Sequence, residues 1–291
     1  KIHFSGFSDI QQMPGAELIE APADSYHHVG LDDTIVVTRS NKRANIFNQG
    51  IRNMVLDRDE ELSQGDILMI VKNNYYWMEE ERKKLSEERR VKSEETAFGG
   101  RRESQFNCLA NHKVQSSKFK VQSKEVQSKE LPAFLANGDR AKVLRVRRRI
   151  DLYGFRFATL LLQFPDYDNY ELEATVLLDT LTSEAPALTH EQQEQLFRQI
   201  EEDYQDIPLK ADRMKAIRQD QFFNALQVKF AYAVTCHKAQ GGQWAHVYVD
   251  QGYMTDDMLT PDYIHWLYTA FTRATEKLYL VNWPETQTAP S

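Results

Sequence analysis

Residues 232–244 read "YAVTCHKAQGGQW", a short apolar run followed at once by polar side chains and a Gly-Gly pair. The β-branched and aromatic residues over 228–235 predict a buried strand. After the glycines, the pattern predicts a strand over 246–249, a helix over 261–274 and a further strand over 277–281. Strands that alternate with helices are typical of a parallel sheet, so this part of the chain predicts an α/β domain.

A second strand-to-helix unit lies near the start of the chain, in "TIVVTRSNKRANIFNQGIR" at 34–52. β-favouring residues over 34–37 predict a strand, and the spacing of Ala44, Phe47 and Ile51 predicts a helix after a polar turn. In parallel sheets, functional groups lie in the loops that follow the carboxyl ends of strands. The polar residues after both predicted strands are therefore candidate site residues.

A β-rich region, residues 61–185, separates these two units. Gly-Asp turns precede two predicted strands, one at 67–71 and one within "LANGDRAKVLRVRRR" at 135–149. Two more strand-like runs lie at 154–164 and 170–178. Short strands separated by tight turns indicate a small β-barrel or curled sheet. Residues 1–60 and 186–291 are then two parts of one domain, and 61–185 is an insertion.

Residues 78–130 differ in composition from their surroundings. They begin with helix-forming charged residues that have almost no apolar face, and they end in a degenerate Val-Gln-Ser repeat. This pattern predicts a solvated helix followed by a low-complexity arm, and a partner-binding role stays open. Two further helices are predicted, over 190–204 and 210–226.

Composition limits the class of protein. The chain has 291 residues, a formal net charge of −7 and two cysteines, Cys108 and Cys236. The acidic balance argues against a strongly basic nucleic-acid coat, although a groove that contacts a few phosphates remains compatible with it. Neither cysteine has partners at zinc spacing, so we expect free thiols and no metal site. Apolar runs are too short to span a bilayer, and we expect a cytoplasmic protein without membrane contact.

Three segments in order resemble motifs of superfamily 1 DNA helicases, especially the RecD-like branch. "VVTRSNKRA" is similar to the fourth motif, "TCHKAQGGQW" to the fifth and "LYTAFTRATEKLYLV" to the sixth. The resemblance implies the second motor domain: a RecA-like parallel sheet with helices on both faces, interrupted by a small SH3-like β-barrel. The ordered set of three motifs is specific, whereas one motif alone is weak.

The resemblance implies that Arg39 and Arg273 contact the γ-phosphoryl group of ATP as catalytic residues. An arginine supplies a fixed, always-charged fork for the negative charge that develops there. With Gly242 and Gln243, these arginines form the implied cofactor site. Many relatives carry an acidic residue at the position of Gln243, and some carry an aromatic residue at that of Thr38, so ribose and adenine recognition stay open. For Arg273, a surface ion pair with Glu276 is the structural alternative.

The fifth motif implies contacts to single-stranded DNA. Hydroxyl, imidazole, ammonium and amide groups can donate to phosphate oxygens. The candidate donors are Thr235, His237, Lys238 and Gln240. The glycines 241 and 242 allow a tight turn, and the structural alternative is a plain connection whose side chains face solvent. Cys236 and Trp244 are interpreted as packing residues.

Arginines at every second position, Arg145, Arg147 and Arg149, are predicted to share one face of a strand. They either follow a DNA strand or balance the charge of the acidic helices.

No G-x-x-x-x-G-K-[ST] loop occurs in the sequence. We therefore expect ATP and Mg²⁺ to be bound mainly by a first motor domain that precedes Lys1, and this chain alone to be inactive. The expected partners are that N-terminal domain and single-stranded DNA or DNA junctions. The alternative function is a non-motor DNA-binding or scaffolding subunit of a helicase or exodeoxyribonuclease complex.

Overall fold

The computed structural model describes residues 6–106, 131–255, 258–284 and 287–288, with side chains described up to residue 91 in the first range. The helices of these ranges are α1 Ala21–His28, α2 Asn41–Gly50, α3 Tyr76–Phe106, α4 His190–Asp203, α5 Lys210–Arg218 and α6 Pro261–Phe271. The strands are β1 Ile10–Met13, β2 Thr34–Thr38, β3 Ile67–Ile70, β4 Arg140–Leu152, β5 Phe155–Phe164, β6 Tyr170–Leu177, β7 Leu226–Phe230, β8 Ala233–Thr235, β9 Trp244–Asp250 and β10 Ala274–Val281.

Five strands form a parallel sheet in the order β1-β10-β9-β2-β8. Every residue of β2 is buried, as expected for a central strand of a parallel sheet. Thr38 at the end of β2 is in register with Thr235 on one side and with Asp250 on the other. The loops after β2, β8 and β9 therefore leave the sheet at the same edge. The predicted parallel sheet is confirmed, and its edge strand β1 was not predicted.

Four strands of the inserted region, β3 to β6, form a closed barrel together with β7, in the order β3-β4-β5-β6-β7. The prediction of one strand over 228–235 is wrong, because the chain forms β7 in the barrel and then β8 in the parallel sheet. Both pieces are buried and apolar, so hydrophobic pattern alone does not separate them. The Asn48 side chain occupies the break, where it donates to Phe230 O and Ala233 O and accepts from Ala233 N.

A buried ionic cluster lies where barrel and sheet meet. The Asp66 carboxylate, 0% exposed, accepts from Arg52 at 3.1 Å, from Arg58 at 2.8 Å and from the Tyr232 hydroxyl at 2.8 Å. Asp66 directly precedes β3, and Tyr232 lies between β7 and β8. Arg52 belongs to the π-helical turn Ile51–Val55 after α2. The cluster therefore connects the segment 52–66 to Tyr232, which lies 166 positions after Asp66.

Helices α4 and α5 pack on the barrel. Leu196, Ile200 and Ile217 form one buried cluster with Phe157 and Leu177 of β5 and β6. The helix predicted over 210–226 is wrong in its second half, because α5 ends at Arg218. There the Asp220 carboxylate accepts from the backbone N–H groups of residues 222 and 223, both at 2.8 Å, which fixes a turn.

Residues 74–135 form a separate compact unit. Its two ends pair through Asn74 and Leu135, and the rings of Tyr75 and Phe134 stack at 4.7 Å. Arg82 of α3 donates to the backbone oxygens of residues 131–133. Over residues 79–91, α3 is mostly exposed, as its composition predicts. Residues 107–130, which carry the Val-Gln-Ser repeat and Cys108, lie outside the described residues. Within the described part of the chain, no helix is both long and apolar enough to cross a membrane.

Candidate functional site

The fourth and fifth motifs lie side by side at one edge of the parallel sheet. Thr38 is 0% exposed, and its hydroxyl donates towards Ser40 O at 3.1 Å and Val234 O at 3.3 Å. The backbone N–H of Cys236 donates to Thr38 O at 3.0 Å. These bonds fix the starts of both loops. Thr38 is therefore an internal hydrogen-bonding residue where β2 ends beside β8.

Arg39 is exposed and is oriented by aromatic rings. Its Cζ lies 5.8 Å from the ring centroid of Tyr263 and 5.9 Å from that of Trp266, both on α6. Its guanidinium also contacts the sulfur of Met254. No carboxylate of the described residues forms an ion pair with Arg39. The cation is thus held in place while its charge is not neutralised.

The helix after Arg39 adds groups that were not predicted from the sequence. Ser40 caps α2 by accepting from Arg43 N at 3.3 Å, and Arg43 Nε donates to the carboxylate of Asp250. Asp250 is 0% exposed and ends β9. The sequence signal for this contact is weak, because Arg43 and Asp250 are 207 positions apart.

The fifth-motif loop is a tight turn. Lys238 N and Ala239 N both donate to Thr235 O, at 2.9 and 3.1 Å, and Gly241 has φ +84°. Gly242 is required by packing: a Cβ there would lie 2.3 Å from the Trp244 ring. Trp244 is 3% exposed, which agrees with its interpretation as a packing residue.

Cys236 is buried within this loop, and its thiol donates to Trp266 O at 3.5 Å. Burial raises the pKa of this thiol to about 11, although the nearby Arg273 opposes the shift. The thiol therefore stays protonated at neutral pH, which agrees with a packing role and not with that of a nucleophile.

Arg273 connects the sixth motif to the fifth. Its guanidinium donates to Gly242 O at 3.0 Å, to Thr269 O at 2.9 Å and to the Thr272 hydroxyl at 3.0 Å. The alternative ion pair with Glu276 is not formed, since Glu276 lies instead 3.9 Å from His246. The three contacts leave other N–H groups of this guanidinium available to a ligand.

An open cleft of about 510 Å³ lies at this edge of the sheet. Its lining comprises Arg39, Ser40, Asn41, Lys42, Glu184, Pro186, Thr235, His237 and Lys238. The structure thus brings four predicted site residues, Arg39, Thr235, His237 and Lys238, into one cavity. Gln240 and Gln243 are exposed and do not line the cleft, and Gly242 O accepts from Arg273.

The cleft residue Lys238 affects the buried Lys229. Burial, together with the positive charge of Lys238, lowers the pKa of Lys229 to about 8. Lys229 donates to the backbone oxygens of Thr180 and Ser183, and burial also lowers the pKa of Lys238. An anion would relieve the repulsion between two such ammonium groups.

The arginines of β4 do not form an uninterrupted row. The register of β4 with β5 shifts between Val146 and Arg148, which interrupts the alternation expected for Arg145, Arg147 and Arg149. Arg147 pairs with Glu173 at 2.7 Å and Arg149 with Glu60 at 3.2 Å, so part of this charge is balanced within the protein.

Among the residues that the structure describes, no group of three or more His, Cys, Asp or Glu side chains could hold a metal ion.

A known family model matches the part of the chain that contains the fifth and sixth motifs. Residues 230–281 match the model of the UvrD-like helicase C-terminal domain, which supports a helicase-related domain of superfamily 1. The matched segment contains the fifth and sixth motifs, whereas Arg39 lies outside it. No curated protein matches the chain.

Proposed function

We propose that the chain is the C-terminal portion of an ATP-dependent DNA helicase, which couples ATP hydrolysis to translocation on single-stranded DNA and to duplex unwinding. One observation carries this proposal: Arg39, Thr235, His237 and Lys238 line a single cleft, while Arg273 holds the same loop through Gly242 O. The family match over residues 230–281 supports it.

The two arginines suit contacts with the terminal phosphate of ATP. Arg39 is oriented by two rings without a neutralising carboxylate among the described residues, and Arg273 retains unused donors. Bound ATP with Mg²⁺ would supply the phosphoryl group whose negative charge increases during hydrolysis. Gly242 and the exposed Gln243 are placed towards the rest of the nucleotide in this proposal. In this proposal, the phosphate cradle and the Mg²⁺ ligands would be supplied by a further motor domain of the same protein, since this sequence contains no P-loop.

The remaining fifth-motif residues are assigned to the DNA strand. His237 and Gln240 are exposed donors, while Thr235 and Lys238 are half-buried at the cleft. Together they offer neutral and charged donors to consecutive phosphates. Because Arg273 donates to Gly242 O, a movement of this arginine upon hydrolysis would move the DNA-binding loop.

The finer assignments rest on the RecD-like resemblance and on the closed barrel inserted into the parallel sheet. The assigned polarity of translocation is 5′ to 3′, and the assigned substrates are single strands or DNA junctions in repair and recombination. The assigned location is the cytoplasm. A non-motor DNA-binding or scaffolding subunit of a helicase or exodeoxyribonuclease complex is the other candidate.

The deciding experiment measures ATP hydrolysis and single-strand binding in the full-length protein. The wild type should hydrolyse ATP, and single-stranded DNA should stimulate turnover. The double variant His237→Ala with Gln240→Ala should bind the strand more weakly, by about 1 kcal/mol per lost neutral contact, and its stimulation should fall. Basal turnover should persist because both arginines are unchanged. Strand binding without any ATP turnover in the wild type would instead establish the scaffolding function.

A further inference from the structure

One turn of the barrel touches the fifth-motif loop. Lys238 Nζ donates to Oδ1 of Asn137, which lies in the turn before β4. Three residues later, the Arg140 guanidinium lies 5.4 Å from the ring centroid of Trp244. The barrel and the loop are therefore in contact at two points, on either side of the Gly-Gly pair.

The turn is held firmly from the barrel side. The Asp139 carboxylate accepts from Ala136 N at 2.7 Å and from the Tyr167 hydroxyl at 2.6 Å. The backbone N–H of Asn137 donates to Asn73 Oδ1 at 2.7 Å. With its backbone fixed in this way, Asn137 presents its amide oxygen to Lys238 from a well-defined turn. The flexible lysine is then the partner whose position is determined by the contact.

The charge of Lys238 is not cancelled by this contact. An amide oxygen is a neutral acceptor, so the ammonium keeps its positive charge while it is held. The cleft lining also contains Arg39 and Lys42 but a single carboxylate, Glu184, which lies 4.0 Å from Lys42. The cleft is therefore net positive within a chain of formal net charge −7.

We infer that Asn137 is a positioning residue, which holds the Lys238 ammonium at the cleft for a phosphodiester of single-stranded nucleic acid without neutralising it. The inference rests on the proposed function, because it uses Lys238 as a strand contact. It extends that function by assigning part of the strand-binding site to the inserted barrel.

The identity of residue 137 then controls binding. An aspartate there has nearly the same shape but would form an ion pair with Lys238 and compete with the phosphate. An alanine there would release the Lys238 ammonium. The Lys238 side chain would then lose more conformational freedom when it binds a phosphate. The two substitutions should therefore differ in their dependence on salt.

The test measures binding of a fluorescein-labelled oligothymidylate to the full-length protein by anisotropy over a series of salt concentrations. Lys238→Ala should lower the slope of log affinity against log salt by about one unit, because one phosphate contact is lost. Asn137→Asp should lower it by the same amount. Asn137→Ala should keep the wild-type slope and bind several-fold more weakly. Gln205 is exposed between α4 and α5, and Gln205→Glu is the matched control for the negative charge that Asn137→Asp adds.

The outcomes separate the two claims. A lowered slope in Lys238→Ala with a wild-type slope in Asn137→Asp would overturn the role of Asn137 and leave the strand contact intact. An unchanged slope in Lys238→Ala would remove the strand contact itself. Wild-type affinity in Asn137→Ala, whose truncation removes no core packing, would also overturn the positioning role. In the Lys238→Ala background, Asn137→Asp should change the slope no more than Gln205→Glu does.

Discussion

At the scale of single residues, Arg273 connects the end of α6 to the fifth-motif loop. Its guanidinium bonds to Gly242 O of the fifth-motif loop and to two groups at the end of α6. The plane of the fork is fixed before any ligand arrives, so a phosphate contact requires little further ordering. Such preorganisation suits a group that stabilises developing charge.

We predict that Arg273→Ala in the full-length protein reduces ATP turnover on the order of 10³-fold, the scale known for arginine fingers, and leaves nucleotide binding nearly unchanged. Steady-state hydrolysis and a fluorescent nucleotide titration measure the two effects. Arg198→Ala on the exposed face of α4 is the control. Turnover close to that of the wild type would exclude the assigned role.

At the scale of elements, helix α1 is attached to the sheet by a buried polar chain. His246 Nδ1 lies 2.7 Å from Ser25 Oγ, which lies 2.7 Å from the Tyr248 hydroxyl, and this hydroxyl donates to Ala21 O at 3.0 Å. His246 is 4% exposed, and burial lowers its pKa, as do Lys277 and His28, while Glu276 acts in the opposite direction. The folded protein therefore favours neutral imidazole.

The buried His246 in this hydrogen-bonded group predicts that the stability of the protein depends on pH. Because the folded pKa of His246 is lowered, the unfolded state binds its proton more readily, and stability should fall as pH decreases below about 6.5. Urea unfolding at pH 7.5 and 5.5 measures the change in free energy. In His246→Gln, which cannot titrate, the difference between the two pH values should be smaller. An equal difference in both proteins would show that another group is responsible.

The arm that begins with α3 allows a second prediction at this scale. Replacing residues 84–129 by a short Gly/Ser linker keeps Arg82 and its contacts to residues 131–133. The described side chains removed, 84–91, are exposed, and the composition of the rest of the segment predicts few buried apolar contacts. We expect the melting temperature to stay almost unchanged. A decrease of many degrees in differential scanning fluorimetry would show that the arm packs on the rest of the protein.

At the scale of the whole molecule, the Asp66 cluster holds the barrel and the sheet together. Asp66 is completely buried and is the only carboxylate that forms an ion pair with the buried Arg52 among the described residues. Its removal leaves a buried guanidinium without a counter-charge.

We predict that Asp66→Ala lowers the free energy of unfolding by about 3–5 kcal/mol. Asp206→Ala, at an exposed position between α4 and α5, should change it by less than about 0.5 kcal/mol. Urea denaturation followed by circular dichroism compares the two variants. Similar values for both would mean that the cluster contributes little to the junction.

Hydrophobic pattern by itself determined the parallel strands β2, β9 and β10, most of the barrel strands and the helix α4. The parallel strands appear as short, almost continuous apolar runs, and α4 appears through the helical spacing of Leu196 and Ile200. The three motifs in their order likewise indicated a helicase-related domain. Each motif is a short continuous stretch, so it can be identified without knowledge of the tertiary structure. The roles assigned to those residues stay predictions.

The tertiary structure alone decided how residues 228–235 divide between two sheets and which groups meet around the cleft. Both pieces of that run are equally apolar, and the break depends on Asn48, which lies 182 positions before Phe230. The contacts of Lys238 with Asn137 and of Arg43 with Asp250 span 101 and 207 positions. A one-dimensional pattern records whether a residue is buried, whereas its partner is set by long-range strand pairing and loop closure.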